Sequence, residues 1–387
     1  MRTDIKLIFS ILLVFIFTLN FNFKALSAEK IKIGLLIPVT GEYGKIGESV
    51  INSVRLALNS INDNKIEILP RDTKSDPSTT LKIAKELYEN DGVKIIIGPL
   101  FNSSTEYLSK IPEVTFLSLT NKLTNTPANV ISAGVNSISQ INAIKKFQEL
   151  KNLERTIFLI PNSNFKNEIE KAISKTNIKL KDKFIYDTDP TLLTAQIEKV
   201  TRYPQRKQNL LDEMERLENS NDANKEKKIE NLKKRDTIGG INFDSVVIAD
   251  FDENFKSVAT SLLYTDVSSK RVFYINLNNW FDESLLEERS IHPIYFPSVD
   301  KKNYDTFNSN YKKSYGKEAN QISFLSYDIM GLIYYLIYKN DFIISNKMFS
   351  ENNIFKGKTG IFQINNRNIT HELSFYSIEN KKFIKIF

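Results

Sequence analysis

A chain of 387 residues with no cysteine excludes disulfides, thiolate metal sites, a cysteine nucleophile and lipid attachment to an N-terminal cysteine. Its formal charge of +7 is spread over lysines interleaved with Glu and Asp, without a long basic block, so no nucleic-acid partner is expected. The length suits about two domains.

The first 28 residues read as an export signal. Arg2 and Lys6 flank the start, Leu7 to Phe17 is apolar apart from Ser10, and Ala25-Leu26-Ser27-Ala28 offers a small-residue cleavage site. Asn20, Asn22 and Lys24 break the run before the ~20 apolar residues a membrane span requires. The expectation is a soluble periplasmic protein that is neither a lipoprotein nor membrane-spanning after cleavage.

Strands and helical patterns then alternate. "IKIGLLIPV" (31–39) is a continuous apolar run, as in a parallel strand buried on both faces. Gly41, Gly44 and Gly47 lead into a helix carrying Val50, Val54, Ala57, Leu58 and Ile61. "KIEIL" (65–69) is the next strand, and Asp76-Pro77 the N-cap and first-turn proline of the next helix. "KIIIGP" and "VTFLSLTN" (114–121) follow, and a second series begins at "RTIFLIPNSNF" (155–165). It continues with "KFIYD", "SVVIAD" (245–250) and "RVFYINLN" (271–278). This rhythm predicts an α/β fold with parallel sheets. Ligands bind such sheets beyond the carboxyl ends of the strands, where "GPLFNSS", "SLTN", "PNSNF" and "ADFDEN" supply small polar side chains. Between Arg202 and Asp236 lie ten basic and eight acidic residues with a narrow stripe of Leu210, Leu211, Met214 and Leu217. That segment predicts a charged helical hairpin, either a solvated face or a protein contact.

Recognisable chemistry is sparse. The glycines of "GEYGKIGES" are not GxGxxG, and neither GxxxxGK[ST] nor GxSxG occurs. The two histidines, His292 and His371, sit at no cleft strand end, and His371-Glu372 lacks the second histidine of HExxH. No catalytic residue, cofactor or metal is expected.

"IKIGLLIPVTGEYGKIGESVINSVRLALNSIN", "RDTKSDPSTTLKIAKEL" and "GVKIIIGPLFNSS" together resemble the leucine-binding-like type 1 periplasmic binding proteins. The likeness runs on through "YKKSYGKEANQISFLSYDIMGLIYYL" and "GKTGIFQINN". Within that family, "RYPQRKQ", "RDTIGGINFDSVVIAD" and "NNWFDESLL" are similar to segments of the penicillin-binding protein activator branch, although no helical-repeat N-terminal domain precedes them. The resemblance implies two Rossmann-like lobes joined by three crossovers, with a charged helical insertion over 202–240. Lobe 1 would hold 29–137 and 297–345, and lobe 2 would hold 138–296 and 346–387. It implies no catalysis. The cleft would close on an amino acid or cell-wall-derived solute, for an ABC permease in uptake or sensing. The activator likeness implies instead a regulator contacting a peptidoglycan synthase.

By the same resemblance, the ligand carboxylate would meet Asn102, Ser103, Thr120 and Asn121, with Tyr43 in the glycine-bordered turn nearby. Asn102 and Ser103, ahead of Glu106, equally fit a helix cap. Phe165 and Phe251 stand where the family often places tyrosines, and suit stacking on an apolar ligand or core packing. The acid that would pair with a ligand ammonium is replaced by Leu277 or Asn278, which leaves Asp250 as the substitute. Trp280 falls near the expected cleft edge.

Overall fold

The computed structural model of the chain describes residues 30–387 apart from 124, 279, 351, 366 and 367. The expected signal peptide lies outside the described residues. Strand β1 (Ile31–Ile37) sits between β2 (Ile66–Asp72) and β3 (Ile95–Ile97), with β4 (Thr115–Ser118) and β5 (Val130–Ser132) beyond, and every neighbour is parallel. The apolar runs are continuous because helices cover both faces: Ile95, Ile96 and Ile97 are all fully buried.

Helix α1 (Gly44–Ile61) follows β1, and α2 (Pro77–Glu89) follows β2. The carboxylate of Asp76 caps α2, accepting from Thr79 N at 2.6 Å, with Pro77 in the first turn. Gly47 lets α1 press onto the end of β1, since a Cβ there would lie 1.6 Å from the Pro38 carbonyl oxygen. That contact holds Tyr43 and Ile46 at the carboxyl end of the first sheet.

The second sheet has seven strands in the order β15-β14-β10-β9-β8-β6-β7. Its parallel part comprises β6 (Thr156–Pro161), β7 (Asp182–Tyr186), β8 (Ser245–Ile248), β9 (Phe273–Asn276) and β10 (Ile294–Ser298). Antiparallel β14 (Ser374–Glu379) and β15 (Lys382–Lys385) extend it beyond β10. Helices α3 (Ser137–Lys151), α4 (Lys166–Thr176), α5 (Pro190–Thr201) and α8 (Asp252–Tyr264) belong with this sheet, α6 (Tyr203–Glu218) and α7 (Lys225–Lys233) between them. The last two form the hairpin within the charged segment. Leu210 and Leu217 are buried at its inner face, whereas Leu211 is exposed and α7 buries no residue.

After β10 the chain returns to the first sheet. Helices α9 (Lys301–Tyr315) and α10 (Gln321–Lys339) pack on α1. Ser53 Oγ donates to Ser323 O at 2.6 Å, and Tyr315 Oη donates to Asn52 O at 3.0 Å. The chain then leaves again for a small antiparallel sheet of β11 (Asn353–Lys356), β12 (Ile361–Asn365) and β13 (Asn368–Glu372). This sheet ties the crossings together. Asn136, in the segment after β5, donates through Nδ2 to Ile369 O at 2.6 Å. Buried Asp328 of α10 accepts from Lys358 N, Thr359 N and Thr359 Oγ1, at 2.9, 2.6 and 2.6 Å.

Among the described residues no helix is long and apolar enough to cross a membrane.

Candidate functional site

A cavity of about 390 Å³ opens where the carboxyl ends of the two parallel sheets face each other. The first sheet contributes Tyr43 from the turn after β1, Phe101 and Asn102 from beyond β3, and Thr120, Asn121 and Lys122 from beyond β4. Phe251 after β8, with Asn278 and Trp280 after β9, come from the second sheet. Ile322 and Leu325 of α10 and Gln140 of α3 complete much of the rest.

Local bonding fixes these walls. The rings of Tyr43 and Phe101 meet edge to face at 4.8 Å, forming an aromatic side that needs no neighbour from the other lobe. Ser132 Oγ and Gly134 N both donate to Thr120 O, at 2.6 and 3.0 Å, and hold the β4 end against the first crossover. Asn278 N donates to Gln140 Oε1 at 2.8 Å, and Trp280 N donates to Asn278 Oδ1 at 2.9 Å. Trp280 has φ of 56°, a left-handed backbone that a bulky residue rarely adopts. Its ring is thereby kept in the cavity wall.

Five of the expected residues line this cavity: Tyr43, Asn102, Thr120, Asn121 and Phe251. Ser103 is exposed outside it. The helix-capping alternative for Asn102 and Ser103 does not hold. Residues 102–104 and 106–110 form two 3-10 turns, and neither has a side-chain cap. Thr105 Oγ1 instead donates to the Asn102 carbonyl at 2.7 Å. The Asn102 side chain is thus left for the cavity, where its Oδ1 is buried without a partner among the described residues.

Phe165 lies behind the wall. It opens α4, half-buried, with its ring 5.9 Å from that of Phe251. Asp250 also stands outside the cavity. It is 7% exposed and accepts from Tyr186 Oη at 2.5 Å and from Phe251 N at 2.9 Å. Burial, reinforced by the bond to Asp250 and its charge, holds the Tyr186 phenol above its ordinary range, so the proton stays on Tyr186. The proposed substitute for a missing acid is therefore already occupied. Of the two positions read as replacing that acid, Leu277 is fully buried and Asn278 faces the cavity.

Phe101, Lys122 and Gln140 escaped the sequence reading. Lys122 directly continues "SLTN", so the strand-end rule carried one residue further reaches it. Gln140 arrives from the first turn of a helix, and no local motif marks it.

Residues 30–188 match the family model described as periplasmic binding protein. The Leu/Ile/Val-binding protein of Escherichia coli (strain K12) is 32% identical over 92 residues, which cover 22% of this chain and 25% of that protein. The match thus spans about a quarter of the curated relative's length. The branched-chain amino acid transporter substrate binding protein LivJ of Streptococcus pneumoniae, solved in complex with isoleucine, is similar with a TM-score of 0.53 at 16% identity. That superposition covers 92% of this chain and 99% of LivJ. A solute binding protein of an ABC transporter from R. palustris, solved in complex with 4-hydroxybenzoate, gives 0.58 at 14% identity, covering 92% and 95%.

Proposed function

Taking as premise that the chain has the type 1 periplasmic binding fold of leucine-binding type, we propose that it is a periplasmic, non-catalytic solute receptor. Its cleft closes on one small amino-acid-like or cell-wall-derived molecule, for an ABC-type permease in uptake or for sensing. The observation carrying this reading is the cavity itself. It has the volume of a small-molecule site, and its walls come from the strand ends of both parallel sheets. Apolar and aromatic surface dominates the lining, with a few convergent amides. A buried Asn102 Oδ1 lacking a partner is the kind of group a ligand satisfies.

A cleft of this form responds to ligand by a shift in population, because contacts to both walls exist together only when the lobes are close. Trp280 makes the response visible, being the single tryptophan and part of the wall. Some solute in a broad panel of amino acids, organic acids and cell-wall fragments is expected to change its emission and raise the melting temperature. Asn102→Ala should then weaken that solute by about tenfold, the effect of one lost hydrogen bond. A panel without any response would remove the receptor reading.

A second reading is supported by the α6–α7 hairpin, whose outer helix has no fully buried residue and is mostly charged, with Lys228 paired to Asp222 and Glu230 to Lys234. On that reading the chain regulates a peptidoglycan synthase through the hairpin. Capture of a synthase by the intact chain, lost when the outward charges of α7 are neutralised, would favour it over solute delivery.

A further inference from the structure

We propose, resting on the receptor reading above, that the cleft selects small carboxylic acids with an apolar or aromatic body and no α-ammonium group. A free amino acid carries one charge of each sign, and a closed cleft must answer both. This cavity answers one. Among the described residues that line it none is an aspartate or glutamate, and the single charged one is Lys122. Among the described residues Lys122 makes no ion pair, and its backbone N–H is already given to Thr120 Oγ1 at 3.2 Å. Lys122 is thus the one charged residue among the described residues of the wall, and its sign suits a carboxylate.

The carboxylates beside the cleft are already used by the protein. Asp250, next to Phe251, is bonded to Tyr186 and to the Phe251 amide. Glu168, buried on α4, accepts the amide proton of Leu123, the residue after Lys122, at 2.8 Å. Asn278 offers an ammonium no counter-charge. Its Oδ1 already accepts from the Trp280 amide, and what acceptor capacity remains is that of a neutral amide. Asn102 Oδ1 is neutral, so it suits a single O–H, such as a ring hydroxyl, but balances no charge. A cation enclosed here would lose its water, find no counter-charge, and share the space with Lys122. The Tyr43–Phe101 pair, Phe251 and Trp280 meanwhile offer flat surfaces to a ring or branched chain.

The experiment titrates the wild-type protein with matched pairs, by Trp280 emission and by calorimetry. Leucine is set against 4-methylpentanoate, and phenylalanine against 3-phenylpropanoate, with benzoate and 4-hydroxybenzoate added. The acids are expected to bind at least about 100-fold more tightly than their amino acids, about 2.8 kcal/mol at 1.4 kcal/mol per tenfold. Lys122→Met should weaken the acids about tenfold or more, and Asn278→Asp should narrow or reverse the preference. An amino acid that binds as tightly as its acid overturns this inference and leaves the receptor reading standing. So does silence toward every acid while another class of solute binds. Silence toward all solutes overturns both.

Discussion

Arg206→Met is expected to lower stability by about 3 kcal/mol, with the loss concentrated where the charged hairpin joins the second lobe. The guanidinium of Arg206 is almost completely buried at the first turn of α6. Its Nη1 donates to the carbonyls of Thr201 and Thr265, at 3.3 and 3.1 Å. Nη2 donates to Thr237 Oγ1 at 2.6 Å and to both the carbonyl and carboxylate of Asp266, at 3.2 and 3.3 Å. One side chain therefore satisfies the end of α5, the end of α8 and the segment that closes the hairpin. Methionine fills similar space but leaves those acceptors dry, each carrying a desolvation penalty. Asp266 retains Arg271, which keeps the loss below that of a fully orphaned buried charge. The denaturant midpoint measures the effect, and limited proteolysis locates it. An unchanged midpoint would mean that the hairpin is anchored by its leucine stripe alone. Ligand affinity should be unaffected, because none of these groups lines the cavity.

Acidification from neutral pH to about 4 is expected to cost about 3 kcal/mol through His371 alone. This residue on β13 is buried, donates its backbone N–H to Ser139 Oγ at 2.9 Å, and sets Nε2 3.4 Å from the Ala133 carbonyl. Burial pushes the imidazole down from 6.5 to about 4, and its Nδ1 has no partner among the described residues. The folded value lies below the unfolded one, so the unfolded chain binds the extra proton between them. Stability is therefore complete above about 6.5 and declines as pH falls through the window to about 4. Over that interval, ~1.4 kcal/mol per unit gives ~3 kcal/mol. The exposed carboxylates act lower. Asp76 is held at about 2 by hydrogen bonds from Ser78 and Thr79, so its stabilisation is lost only below the ordinary 3.8. Burial raises the Asp328 carboxyl, which opposes the His371 effect as pH falls. A comparison with His371→Phe cancels that contribution, since both proteins carry Asp328. The phenylalanine variant should show a flatter stability profile between pH 6.5 and 4. Parallel profiles would mean that folding does not lower the His371 pKa.

The parallel sheets were legible because a strand buried on both faces must be apolar throughout, as at Ile95–Ile97, and because Asp76-Pro77 is a local cap. Asn102, Thr120 and Asn121 were legible from the rule that such sheets bind at their carboxyl ends, and Tyr43 and Phe251 came from the family resemblance. The small sheet over β11–β13 was not. Ile354 is 75% exposed while Phe362 and Ile364 are buried, so the apolar pattern does not distinguish this edge strand from a loop. Asp250 was misread because its occupant, Tyr186, lies 64 residues away in sequence on a neighbouring part of the sheet. Gln140, Ile322 and Leu325 reach the cavity through helix packing, which leaves no signature in a short window. The cap at Asn102 failed because the chain turns there as a tight 3-10 segment instead of starting a helix.

Absence of native cysteine allows a direct test of closure, since two introduced thiols can be labelled without background. Spin labels at Ser103→Cys and Glu253→Cys would mark the two rims of the cleft from exposed positions. With a bound acid at saturation, verified by calorimetry, the distance distribution between them should move to shorter values and narrow. A saturated protein whose distribution stays where it was would contradict a cleft that works by bringing its two sheets together around the ligand.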